Sequence, residues 1–116
     1  MGYKTIYLPI SKLTAQLKQA KAMGGHIKYL DNLSKHKLLI MDDFGLFSLD
    51  RQQSLDFMEI IEDRHGKLST ILVSQLPLAS WYELITETTI ADALMDRIIH
   101  SAIRIELKGE SLRKKR

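Results

Sequence analysis

The residues best suited to chemistry are Asp42 and Asp43, which follow Leu38-Leu39-Ile40-Met41 and precede Phe44-Gly45. Four consecutive apolar residues predict a strand buried on both faces, as in a parallel sheet. The end of such a strand lies at the carboxyl edge of the sheet, where open α/β sheets bind ligands. Two adjacent carboxylates there suit a divalent cation. Beside a triphosphate, one acid would hold magnesium while the other orients or deprotonates the attacking water. The same residues also suit a strand-end turn, in which Asp42 or Asp43 caps the backbone and Gly45 supplies a positive φ.

A second apolar run, Ile71-Leu72-Val73, ends in Ser74-Gln75-Leu76-Pro77. In a parallel sheet Ser74 and Gln75 would emerge beside the carboxylates, where a polar group can touch a phosphate or the attacking water. Ser and Gln also commonly begin loops. The third candidate is Arg97, set among apolar residues between Asp92 and His100. It suits a helix-surface ion pair with Asp96 or Asp92, and equally a projection toward a neighbouring subunit's phosphate, because arginine in trans stabilises transferred phosphoryl charge. Finally, Lys108 to Arg116 holds five basic residues in nine, a solvated tail or a contact for a phosphate backbone.

Positioning these groups requires alternating strands and helices. Thr5-Ile6-Tyr7-Leu8-Pro9 reads as a short strand stopped by proline. Ile10, Leu13, Leu17 and Ala20 recur at helical spacing, with Lys12, Lys18 and Lys21 off that stripe, and Met23-Gly24-Gly25 ends the helix. A short helix carries Tyr29, Leu30 and Leu33 ahead of the strand at Leu38–Met41. A helix follows at 51–65 with Leu55, Met58 and Ile61 on one face, and then a buried strand at Ser69–Val73. Residues 79–85, with Trp81, form a short helix. Residues 88–100 form a longer one with Ile90, Leu94 and Ile98 on one stripe, before an alternating strand at Ala102–Leu107. Strands separated by such helices imply right-handed crossovers and a layered α/β fold.

The whole is one domain of 116 residues, with 45% hydrophobic and 27% charged side chains, enough to bury a core. With no cysteine, a disulfide scaffold, a thiolate metal site and a cysteine nucleophile are excluded, and a reducing cytoplasm is the expected setting. No apolar stretch approaches the length of a membrane helix, and the N-terminus lacks a signal peptide's apolar run. The net charge of +3 is unevenly spread: +6 over residues 1–37, −7 over 38–100 and +4 over 101–116. Basic ends around an acidic middle permit polyanion contact at the ends and a metal or catalytic carboxylates between them.

The strings LLIMDDFGL from Leu38, ILVSQLP from Ile71 and ADALMDRIIHSAIRIELKGESLRKK from Ala91, in this order and at these intervals, resemble the second half of AAA+ ATPases that assist insertion-sequence transposases, the IstB-like proteins. DnaC-type helicase loaders are similar, though less closely. The resemblance implies a partial P-loop NTPase core over residues 1–116, a parallel sheet flanked by helices. It implies that Asp42 is the magnesium-side acid of the Walker B pair and Asp43 the water-activating one. Most AAA+ proteins have glutamate in that second place, and this branch often has aspartate. Gln75, with Ser74, would be sensor 1, Arg97 the arginine that reaches an adjacent subunit's nucleotide, and Arg113 a sensor 2 group.

A phosphate loop needs Gly-x-x-x-x-Gly-Lys-Ser/Thr, whose backbone amides and lysine hold phosphates. No such segment occurs in this sequence, where Gly24-Gly25 is followed by His26. The resemblance thus implies a chain that starts at the family's second core strand and lacks its first strand and phosphate loop. ATP and magnesium would serve the intact parent, and this chain alone is expected to bind neither tightly. The implied sheet order, 5-1-4-3-2, would leave a gap between the Ser69–Val73 strand and the last one. The last strand is then expected to pair directly with Ser69–Val73 or to be exchanged between copies in a homo-oligomer. Expected partners are DNA and a transposase, or a helicase if replication rather than transposition is served.

Two other readings compete. A signalling receiver domain would carry its acid pair on the first strand and a lysine later, whereas no lysine lies between Lys67 and Lys108 here. A non-catalytic DNA-binding or interaction module would use Lys12, Lys18, Lys21 and the basic tail, with steeply salt-dependent binding.

Overall fold

The structure is a computed structural model that describes residues 4–44 and 48–107; Gly45, Arg113 and the basic tail lie outside the described residues. The elements are β1 (Thr5–Pro9), α1 (Ile10–Ala22), α2 (His26–Ser34), β2 (Leu38–Phe44), α3 (Arg51–Arg64), β3 (Ser69–Ser74), a 3₁₀ helix (Leu78–Leu84), α4 (Thr88–Ser101) and β4 (Ile103–Glu106). Each strand and helix read from the sequence is present and in order. Most boundaries move by a residue, and the largest displacement matters: β2 runs on through Phe44, so both acids lie within the strand.

All four strands are parallel and stand in the order β1-β2-β3-β4. β4 pairs directly with β3, Ile71 opposite Ile103 and Ser74 opposite Glu106, the first of the two expected outcomes. Parallel crossovers are right-handed. Three crossovers that step in one direction therefore lay every helix on the same face. Burial follows that parity. Leu39, Met41 and Leu72 are fully buried against Leu13 and Leu17 of α1, Phe57, Ile60 and Ile61 of α3, and Leu94 and Ile98 of α4. Ile40, Ile71 and Val73, which alternate with them, are only partly buried and lie outside that core. The expectation that Leu38–Met41 is buried on both faces is therefore corrected: one face is packed and the other is open. Each large side chain sealed on the packed face stabilises by about 1.5–3 kcal/mol.

Local chemistry sets the helix ends. At the start of α3, the Asp50 side chain accepts from the Gln53 amide at 2.8 Å and Gln53 Oε1 accepts from the Asp50 amide at 3.0 Å, a complete capping box. α1 ends where Gly24 takes φ 76° and Gly25 donates to the Ala20 carbonyl at 2.8 Å, a left-handed stop that glycine adopts without strain. Beneath the helices, the buried Arg64 guanidinium donates to Thr70 Oγ1, to the carbonyls of Leu33 and Ser69, and to that of His36. It fastens the ends of α2 and α3 to the start of β3. Lys21 is engaged as well, 2.7 Å from Asp56 and 3.1 Å from Glu59, so of the three α1 lysines only Lys12 and Lys18 are exposed. Among the described residues, no helix is long and apolar enough to cross a membrane.

Candidate functional site

The carboxyl ends of β2 and β3 enclose a cleft of about 220 Å³, lined by Asp42, Asp43, Ser74 and Gln75 with Phe44, Val73, Leu76 and Leu107 as its apolar walls. Its shape comes from a fault in the ladder. Met41 pairs with Leu72 and Phe44 with Ser74, so two residues, Asp42 and Asp43, stand against Val73 alone. Such a bulge bends a strand and re-aims its side chains. Asp43 absorbs the extra residue with φ 65°, the one positive φ among the described non-glycine residues. A positive φ is thus present on the acid itself, while the Gly45 of the turn reading lies outside the described residues. Left-handed backbone costs a residue with a side chain about 1–2 kcal/mol and tends to cluster at functional sites.

Asp42 takes up the other half of the geometry. Its Oδ2 accepts from the Tyr7 hydroxyl, which reaches two positions along β1, while its Oδ1 is buried without a hydrogen-bond partner. Burial first, and then the neighbouring Asp43 charge, raises the Asp42 carboxyl above the usual aspartate range. An unpaired acceptor next to a second carboxylate is what a hard divalent cation would relieve, so the donor set fits magnesium on the Asp42 side. Among the described residues no group of three or more His, Cys, Asp or Glu could hold a metal. A cation here would take its remaining ligands from water or from a bound phosphate.

Ser74 is committed to the scaffold. Its buried hydroxyl donates to the Phe44 carbonyl and accepts from the Leu76 amide at 3.0 Å, locking the ends of β2 and β3 together. Gln75, next in line, is exposed at the cleft. Below them Phe44 packs edge-on against Trp81, ring centroids 4.6 Å apart, and against Phe57 at 5.7 Å. Trp81 Nε1 donates to the Leu76 carbonyl at 2.8 Å, and Leu49 is bridged to the Leu84–Thr86 segment. The strand ends therefore stand on a rigid aromatic floor.

Arg97 is not in this cleft. It lies on α4 in a separate surface depression with His65, His100 and Ser101, paired with Glu62 and donating to the Ala93 carbonyl at 3.1 Å. Its partner is neither Asp96 nor Asp92, as read from the sequence, but a residue of α3. Because α3 and α4 run back toward the amino ends of the strands, Arg97 faces away from the acids. The structure thus gathers Asp42, Asp43, Ser74 and Gln75 and sets Arg97 apart. The sequence reading missed Tyr7. Its only sequence signal was strand parity, since Tyr7 alternates onto the same face as the Asp42 side.

Residues 1–116 match the family described as IstB-like ATP binding protein. Two insertion sequence ATP-binding proteins of Sinorhizobium fredii are 45% and 40% identical to the chain, over 94% and 99% of its length and 44% and 46% of theirs. The insertion sequence IS21 ATP-binding protein of Pseudomonas aeruginosa is 32% identical over 98% of the chain and 43% of its own length. The chain thus spans less than half the length of these relatives. Among solved structures, DnaI superposes with a TM-score of 0.72 and 24% identity over 88% of this chain and 56% of that one, which establishes a shared fold.

Proposed function

Since this chain belongs to the IstB-like ATP-binding family, we propose that it forms the acidic, water-activating side of an ATP site serving an insertion sequence. The observation that carries this reading is the β2 bulge, which sets Asp42, with its unpaired buried oxygen, and Asp43 at one cleft beside Gln75. A magnesium ion bound there would neutralise phosphate charge as the γ-phosphoryl group leaves.

In this mechanism Asp42 holds the cation side, and the Tyr7 hydroxyl keeps its carboxylate from rotating away. Asp43, fixed by its left-handed backbone, accepts a hydrogen bond from the attacking water and orients it in line with the bond to be broken. Gln75 contributes a neutral amide that touches either that water or the γ-phosphate. Ser74 supports it from below by holding the strand ends in register. Arg97, which lies on α4 apart from the acids and pairs with Glu62, would serve a neighbouring copy's nucleotide and not its own. Phosphate cradling has no counterpart in this sequence, so it comes from other polypeptide. The relatives are insertion sequence proteins, which favours a transposase as partner and DNA as the substrate of the assembly.

The test is a chimera in which residues 1–116 replace the matched stretch of the 45%-identical Sinorhizobium fredii relative. ATP hydrolysis should fall about 10²–10⁴-fold in Asp43→Asn with nucleotide binding retained. Arg97→Ala should lower turnover in a way that mixing with catalytically dead but Arg97-bearing subunits partly restores. Full hydrolysis by the Asp43→Asn chimera would overturn the reading.

A further inference from the structure

The edge of the sheet opposite the acids is basic. There the ladder extends one residue ahead of the strands, since the Leu38 amide donates to the Lys4 carbonyl at 3.3 Å and the Ser69 amide to the Lys37 carbonyl at 2.9 Å. Lys4 and Lys37 are therefore held in register at the amino ends of β1 and β2, and Lys67 arrives two residues before β3. All three lysines are exposed. Lys37 and Lys67, with Thr5, Leu38, Leu68 and Ser69, line an open groove of about 490 Å³, and none of these lining residues is acidic. Capping of the helix ends does not require this row, because the buried Arg64 already donates to the carbonyls of Leu33, His36 and Ser69 at the same edge. The row is also electrically separate from the candidate site. Five residues at about 3.3 Å each set Lys37 about 16 Å from Asp42, twice the distance of about 8 Å over which exposed charges are screened at physiological salt. An anion at the amino edge meets the lysines and not the acids.

We propose that this amino edge is a track for the phosphodiester backbone of DNA, gripped by Lys4, Lys37 and Lys67 without contact to the bases. Spacing identifies the occupant. Adjacent strands stand about 4.8 Å apart, so three cations on three successive strands span about 10 Å, while each DNA strand presents one phosphate per about 3.4 Å of helix axis. A row of that length faces about three phosphates of one strand. A single phosphate would call for donors that converge on one point, whereas these are spread along a line. Thr5 and Ser69 line the same groove and supply neutral hydroxyl donors to phosphate oxygens. Lysine, a point charge on a flexible stem, suits contact that ignores sequence, because reading bases takes planar, bidentate groups. The proposed function gives DNA to the assembly as a whole; here the contact falls to named residues of this chain, at the edge remote from the nucleotide cleft, so that one ligand does not displace the other. The inference stands on charge and register, not on the ATP-site reading.

The experiment is fluorescence anisotropy of a labelled duplex with the full chain over a series of salt concentrations, without nucleotide. The logarithm of affinity falls with the logarithm of salt by about 0.9 per phosphate neutralised. Lys4→Gln, Lys37→Gln and Lys67→Gln should therefore each reduce that slope by about one, and the triple variant by about two to three, with affinity at least about tenfold lower at low salt. Circular dichroism should not change, because each lysine is exposed. Lys12→Gln, on the exposed side of α1, should leave the slope as it is, and so should Asp42→Asn and Asp43→Asn. No binding by the unmodified chain at low salt, an unaltered slope in the triple variant, or a slope lost through Lys12→Gln instead would overturn the proposal. Displacement of the duplex by micromolar tripolyphosphate would overturn it too, since the groove would then hold a small polyphosphate and not a backbone. Edge-dependent DNA binding by a chimera whose Asp43→Asn form still hydrolyses ATP fully would keep this surface and reject the ATP-site reading, so the two failures are distinguishable.

Discussion

Asp43 concentrates the cost of the site in one residue. Its φ of 65° is a conformation that glycine adopts freely and that β-branched residues strongly resist. Asp43→Gly should therefore leave the chain as stable or stabilise it by about 1 kcal/mol, and Asp43→Val should destabilise it by about 1–2 kcal/mol, as read by urea denaturation. Equal stability in the two variants would mean that the backbone there is unstrained. Asp42 adds an electrostatic cost. Its carboxyl is raised by burial and by Asp43; a raised folded-state value favours folding below the ordinary aspartate value of 3.8 and loses that advantage as the pH rises through the folded value. Ionised Asp42 is thus a burden at neutral pH. Asp42→Asn should raise the melting temperature at pH 7, and the gain should vanish toward pH 3. The acid pair was legible in the sequence because four apolar residues announce the strand that carries it. The bulge was not, because a ladder fault is a relation between two strands and neither strand's own pattern records it.

Elements meet at two buried charges, and each makes a separable contribution. Arg64 satisfies four oxygens from α2, β3 and the segment between α2 and β2. Removing it leaves several buried acceptors unpaired, each costing about 1–3 kcal/mol. Arg64→Ala should therefore cost about 3 kcal/mol or more, and Arg64→Lys should recover little, since a single ammonium lacks the planar fork. Two turns earlier on α3, Asp56 is 1% exposed and held by Lys21 and Gln52. Burial opposes ionisation of the nearby Glu59, yet hydrogen bonds from His26 and Lys21 outweigh it and hold Glu59 below its ordinary value. A lowered carboxylate stabilises above that value, 4.5, and loses its contribution as the pH falls below it. Lys21→Met should therefore destabilise at pH 7 and flatten the acid limb of the stability profile measured between pH 3 and 6. Helix periodicity located α1 and α3 to within a residue. That Lys21 turns inward was not readable, because a lysine off the apolar stripe carries no mark of the aspartate waiting 35 positions on.

At the scale of the molecule, one layer of helices covers one face of a four-stranded parallel sheet, and the acids stand at the sheet's carboxyl edge. The strand order could be argued from the sequence only through family resemblance. Hydrophobic runs such as Leu38–Met41 are the same whether the second face is covered by this chain or by another. On the proposed reading, this geometry also predicts weak nucleotide binding by the chain alone. A triphosphate carries several negative charges, and the groups the cleft presents to it are two carboxylates and a neutral amide, so the direct electrostatic term is repulsive. Magnesium reverses the sign locally, but the backbone amides and lysine that normally cradle β- and γ-phosphates are absent from the sequence. Calorimetric titration of the isolated chain with magnesium and ATP should therefore show binding weaker than about 100 μM, equivalent to less than about 5.5 kcal/mol. Asp42→Asn should change it little, because the repulsion and the cation contact are lost together. Submicromolar binding by residues 1–116 alone would require a phosphate cradle built by other means within this sheet, and would move the nucleotide away from the bulge altogether.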